Sequence, residues 1–102
     1  MFDEQKRQAE LDKRDAQLRE WSAEIDKRMA RIQAAKADVQ RETLLQLETQ
    51  LNQLITSRDA AKAELEKLRG AGESTWTNLL QTTDSMFQSA AQKFHAFVST
   101  HT

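Results

Sequence analysis

Two histidines, His95 and His101, and a scatter of carboxylates are the side chains of this 102-residue chain with the means to do chemistry. The histidines are six residues apart, so they do not share a helix face, and no Asp or Glu stands at ligand spacing from either. A zinc site needs three or four convergent ligands. The pair therefore reads as solvated tail histidines, and no metal ligand is assigned. Glu10, Asp15, Glu20, Glu24, Asp38, Glu42, Glu48 and Glu64 alternate with Lys and Arg at three- and four-residue spacing, as Glu24 does with Arg28. That spacing makes surface ion pairs worth a few tenths of a kcal/mol, not an acid and a base held together in a cleft. Cysteine is absent, which removes disulfides, thiolate catalysis and zinc-finger chemistry together. The expectation is a non-enzymatic protein with no catalytic, metal-binding or cofactor-binding residues.

The elements that would position any site are helices. Charged residues make up 30% of the chain and hydrophobic ones 38%, with an excess of Ala, Glu, Lys, Leu, Arg and Gln that marks long helices. A net charge of −1 argues against a nucleic-acid partner, which requires a surplus of bases on one face. No apolar run approaches the roughly 20 residues of a membrane span, and the N-terminus lacks the apolar core of a signal peptide. A soluble, cytoplasmic protein is expected. Residues 1–69 carry 14 of the 15 basic and 14 of the 16 acidic side chains. They are separated from a nearly uncharged remainder by the only two glycines, Gly70 and Gly72.

Within 3–69 the apolar residues keep helical spacing but fall into two halves. Leu11, Leu18, Ile25, Ile32 and Val39 recur at intervals of seven, with either Arg14, Trp21, Arg28 and Ala35 or Asp15, Ser22, Met29 and Lys36 as heptad partners. This is a narrow, weak seam. Leu44, Leu47, Leu51, Leu54, Arg58, Ala61, Leu65 and Leu68 form a strong one, polar only at Arg58. Between the halves the stripe jumps by about 140° around the helix, because Val39 and Leu44 are five residues apart. The lack of Gly, Pro or Asn in AAKADVQRETLL favours one unbroken helix over 3–69. The alternative is a tight turn near 39–43, for which Thr43 and Gln46 have capping-box spacing.

Residues 70–73 form the predicted joint, in which Gly70 or Gly72 takes the left-handed conformation that closes helices and acts as a hinge. Ser74 is the predicted N-cap of a third helix over 74–98, with 99–102 as a tail. Trp76, Leu79, Leu80, Thr83, Met86, Phe87, Ala90, Ala91, Phe94, Phe97 and Val98 share about 140° of its wheel, interrupted only by Thr83. This helix matches the strong seam in length, about 38 Å each, so an antiparallel hairpin is expected. Two helices alone rarely bury enough surface, which points to a homo-oligomeric bundle. An antiparallel dimer avoids setting Arg14, Arg28 and Arg58 against their own copies. The expected interface comprises Leu11, Leu18, Trp21, Ile25, Ile32, Val39, Leu44, Leu47, Leu51, Leu54, Leu65, Leu68, Trp76, Leu80, Phe87, Phe94 and Val98. Trp21 is read as a core residue, with a partner-binding anchor as the alternative.

QLREWSAEIDK, AAKADVQRE and RDAAKAELEKLRGAGESTW resemble a family of small bacterial coiled-coil proteins described as stress-response proteins. The resemblance covers residues 16–80 and is carried by Trp21, Ile25, Asp26, Lys36, Ala37, Asp38, Arg58, Asp59, Ala60, Leu65, Leu68 and Trp76. The family's last helix is usually rich in Glu, Asp and Lys, whereas here it is rich in Ser, Thr, Gln and Phe. The resemblance implies a non-enzymatic helical protein. Two functions are expected from these readings. One is a structural or interaction protein that assembles with itself, or with another protein, through the Leu44–Leu68 seam and the 74–98 helix. The other is a peripheral binder of lipid or other hydrophobic surfaces through the 74–98 helix, in which only Lys93 would meet an anionic headgroup.

Overall fold

A computed structural model describes residues 3–101, with the side chain of His101 left aside. The chain is all-α, as the composition predicts: α1 spans Glu4–Ala35, α2 Arg41–Arg69 and α3 Glu73–His101. These three helices pack as one elongated bundle of 58 × 20 × 18 Å. Its radius of gyration, 16.5 Å, exceeds the roughly 13 Å of a sphere-like domain of this length.

The unbroken helix over 3–69 is corrected: the chain turns at residues 36–40. The register jump supplies the physical reason. A continuous helix would present its two apolar stripes to opposite sides, so no common core would take both. Folding back at the jump aims both stripes at α3. The turn also falls earlier than 39–43, and the Thr43–Gln46 capping box does not begin the helix. Lys36 remains helical while its N–H bonds to the Gln33 carbonyl, Asp38 N–H bonds to the Ala35 carbonyl at 2.9 Å, and Gln40 is extended as the N-cap of α2. Gln40 makes no side-chain capping bond. By contrast α1 starts on Asp3, whose carboxylate accepts from the N–H groups of Gln5 and Lys6 at 3.1 and 3.2 Å.

The joint is also corrected in detail. Neither glycine has a positive φ. Gly70 lies at φ −87°, ψ 0°, with its N–H on the Glu66 carbonyl, and Ala71 N–H reaches the Leu68 carbonyl at 3.0 Å. The Gly72 carbonyl, not Ser74, opens α3 by accepting from Trp76 N–H at 3.0 Å. The third helix runs past 98 to His101, so residues 99–101 continue it rather than forming a tail; Thr102 lies outside the described residues.

The hairpin of α3 on α2 is as predicted, and α1 completes the bundle, antiparallel to α2 and parallel to α3. Leu11, Leu18, Trp21, Ile25 and Ile32 of α1 join Leu51, Leu54, Ala61, Leu65 and Leu68 of α2 and Phe87, Ala90, Phe94 and Phe97 of α3 in a single core. Burying each large apolar side chain contributes about 1.5–3 kcal/mol. Leu44, Leu47, Trp76 and Leu80 pack at the edge of this core, and Val39 and Val98 are half-buried. The seams expected to hold two copies together are thus closed within one chain. The need for more buried surface than a hairpin offers is met by α1.

Candidate functional site: an arginine–aromatic seam between α1 and α3

The buried stripe of α1 reads Leu11, Arg14, Leu18, Trp21, Ile25, Arg28, Ile32. Of the two heptad partner sets, the structure selects the one containing arginines, while Met29 of the other set is 44% exposed. Arg14 and Arg28 are only 5% and 6% exposed. A fully buried guanidinium is costly unless its charge and its donors find partners; α3 supplies aromatic rings and Asp84, and α1 itself supplies Glu10 and Glu24.

Both arginines of this stripe, and half-buried Arg7 one heptad before it, lie over aromatic rings of α3. Arg7 sits 5.3 Å from the centre of the Trp76 ring, Arg14 5.5 Å from Phe87, and Arg28 5.5 Å from Phe97. These are cation–π distances, at which the ring face attracts the cation. Trp21 takes the same heptad position between Arg14 and Arg28, and its indole packs between Phe87 and Phe94. The seven-residue repeat of α1 thus meets a matching row on α3, cation on ring at three levels and ring on ring at the fourth.

Hydrogen bonds complete the seam. Arg14 pairs with Asp84 of α3 and with Glu10, at 3.2 Å, one turn earlier on α1, yet its buried Nε has no hydrogen-bond partner. Arg28 Nε donates to Glu24 Oε1 at 2.7 Å. Arg7 Nη2 donates to the Arg69 backbone carbonyl at 2.6 Å, satisfying one of the acceptors left open at the end of α2. Thr83, the one polar residue in the α3 stripe, is fully buried; its hydroxyl donates to the Leu79 carbonyl at 2.8 Å and lies 3.4 Å from the Glu64 carbonyl of α2.

Side-chain size sets the spacing of the helices. Close backbone contact is most extensive between α2 and α3, less so between α1 and α2, and least between α1 and α3. Small residues, Ala61 of α2 with Thr83 and Ala90 of α3, lie in the α2 and α3 stripes. The α1–α3 seam is filled by arginines, an indole and phenyl rings.

On the other side of α1, a charged groove is lined by Asp15, Leu18, Arg19, Ser22, Ala23, Asp26, Arg58, Asp59 and Lys62. Three of its charged residues, Asp15, Arg58 and Asp59, are paired in place. Arg58 donates to Ser22 Oγ at 3.2 Å and pairs with Asp59 at 2.9 Å. Arg69 binds Asp15 at 2.8 Å; this hydrogen bond and the carboxylate charge hold the guanidinium further above its already high pKa, against a smaller opposing effect of burial. Arg69 is therefore charged at every pH at which proteins fold.

The chemical candidates from the sequence lie apart. His95 is exposed on α3, and the His101 side chain lies outside the described residues. Among the described residues, no three His, Cys, Asp or Glu side chains gather as metal ligands, and no helix is long and apolar enough to cross a membrane. Sequence reasoning placed Trp21, Phe87 and Phe94 in one core. It did not assign Arg14, Arg28 or Phe97 to the interface, and named half-buried Val98 there instead. The unbroken spacing 11, 14, 18, 21, 25, 28, 32 was the available signal; the arginines' polarity argued against reading it.

No family model matches this chain, and no curated protein or solved structure is significantly similar to it.

Proposed function

We propose that the protein is a non-enzymatic helical interaction protein, stress-associated as the resemblance implies, that assembles with itself or with another protein as closed bundles. The observation that carries this reading is the outer face of α3. There Gln81, Thr82, Ser85, Gln88, Ser89 and Gln92 are all exposed, and this outward face is almost free of charge, whereas the outer faces of α1 and α2 are dense with acids and bases. Covering uncharged polar groups costs far less than desolvating ions, so this face is the one best suited to meet a second surface. Sedimentation velocity over a concentration series tests self-assembly. A shift from an elongated 11.7 kDa monomer to a larger species, abolished by Ser85→Glu with Gln88→Lys, supports it. A single monomeric species throughout removes self-assembly.

A second reading, a peripheral binder of lipid surfaces, is favoured by the α1–α3 seam. Residues there carry arginines where apolar side chains would pack at no electrostatic cost. Groups of that kind suit a protein that uses both faces of the seam in a second, opened state. Co-sedimentation of the intact chain with vesicles tests this reading.

A further inference from the structure

We infer that α1 is a releasable cover, and that the surface it uncovers, together with its own inner face, binds anionic lipid bilayers. This inference rests on the lipid-surface reading above and specifies its moving part and its headgroup chemistry.

Three observations converge on α1 as the part that moves. It is the helix with the least extensive close backbone contact to the other two, most of its packing being through side chains. It joins the rest of the bundle through residues 36–40, where α2 begins without a side-chain cap. Its inner face is the one that combines charge with apolar bulk: Arg7, Arg14 and Arg28, with Trp21 completing the seven-residue series, among Leu11, Leu18, Ile25 and Ile32. In the closed bundle these guanidiniums lie on aromatic rings, and the Arg14 Nε makes no hydrogen bond.

Swinging α1 out about the 36–40 turn changes both surfaces at once. It frees the rings of Phe87, Phe94 and Phe97 on α3, which suit the boundary between headgroups and acyl chains. It also presents three arginines along one line, with the Trp21 indole between the second and the third. Guanidinium binds phosphate oxygens in a forked, two-bond geometry that its fixed plane favours. An anionic membrane thus replaces Asp84 and the ring faces that the arginines leave behind, whereas Glu10 and Glu24 travel with α1. Taken alone, α3 offers Lys93 as its one lysine or arginine, so the headgroup preference comes from α1.

The experiment uses the full-length chain with two vesicle preparations, phosphatidylcholine alone and phosphatidylcholine with about a third phosphatidylglycerol. Affinity for the anionic vesicles is expected to exceed that for the neutral ones by about tenfold or more, given the attraction contributed by each arginine at an anionic surface. Lys6 and Thr77 line one groove between α1 and α3, and both are exposed. Because the chain has no cysteine, Lys6→Cys with Thr77→Cys provides a unique pair for a short bis-maleimide clamp. The clamped protein is expected to lose vesicle binding, while the same variant without cross-linker retains it. Arg14→Met with Arg28→Met is expected to raise the urea midpoint of the closed bundle and lower anionic binding at least several-fold. Equal affinity for both vesicle types, or binding that survives the clamp, overturns the inference while leaving a surface binder. Absence of binding to either vesicle overturns the lipid reading itself. If the arginine double variant fails to fold, the clamp still decides.

Discussion

The indole of Trp21 and the ring of Phe94 lie almost parallel, 13° apart with centroids separated by 5.2 Å, and Phe87 closes on the same indole at 5.4 Å. This contact joins the middle of α1 to the lower half of α3, and it places Trp21, 7% exposed, inside the bundle rather than at an external anchor point. Trp21→Ala is expected to cost about 3–5 kcal/mol by leaving a cavity between two rings. Trp21→Phe should cost much less because it keeps one ring of the stack. Urea unfolding followed by circular dichroism measures both. A loss below about 1 kcal/mol for the alanine variant would return Trp21 to the surface.

Thr83 should act as a register pin between α2 and α3. Its hydroxyl touches carbonyls of both helices in a position with no solvent access. Thr83→Val keeps the shape and removes the hydroxyl, with an expected loss of about 0.5–1.5 kcal/mol. Thr83→Leu forces extra volume into a fully buried position between α2 and α3 and should cost about 1–3 kcal/mol. If valine proves more stabilising than threonine, the hydroxyl contributes nothing to the pairing.

The glycine joint is expected to tolerate side chains. Neither glycine has a positive φ, a Cβ at Gly70 would meet carbonyl oxygens no closer than 3.8 Å, and one at Gly72 would meet nothing within 4 Å. Gly70→Ala should stabilise by about 0.4–1 kcal/mol through the unfolded chain. Gly72→Ser should gain a similar amount, because it adds a capping hydroxyl to the residue that opens α3. A thermal melt that falls by several degrees in either variant would show that the joint needs glycine's freedom.

At the opposite end, the turn lacks a cap that its geometry would accept. Gln40 sits at φ −61°, ψ 146°, the extended conformation of an N-cap residue, without a side-chain bond. Gln40→Asp or Gln40→Ser should stabilise α2 by about 0.5–2 kcal/mol, the aspartate also complementing the positive end of the helix dipole. Amide exchange at the first turn of α2 should slow in step. Unchanged exchange and stability would mean that α2 begins elsewhere in solution.

Much of this architecture is legible in the amino-acid sequence. The strong heptads from Leu44 to Leu68 and the aromatic stripe from Trp76 to Phe97 could only be satisfied by burial, and their matched lengths implied a hairpin. The break at 36–40 was legible only as a register jump. Local propensity there favours a helix, and the turn exists because two stripes must share one core, a tertiary requirement that no five-residue window contains. Arg14 and Arg28 were hidden for a similar reason. A heptad places them inside, polarity places them outside, and the deciding partners are some 70 residues away on α3.

By itself, then, the sequence determined the helices, their apolar faces and the antiparallel pairing of the last two, because periodicity and length are properties of consecutive residues. Tertiary structure decided that α1 closes the bundle within one chain and that its arginines become interior groups. Those outcomes depend on which rings and carboxylates stand opposite each guanidinium. Burial of a charge is settled by its neighbours in space, not by its neighbours in the chain.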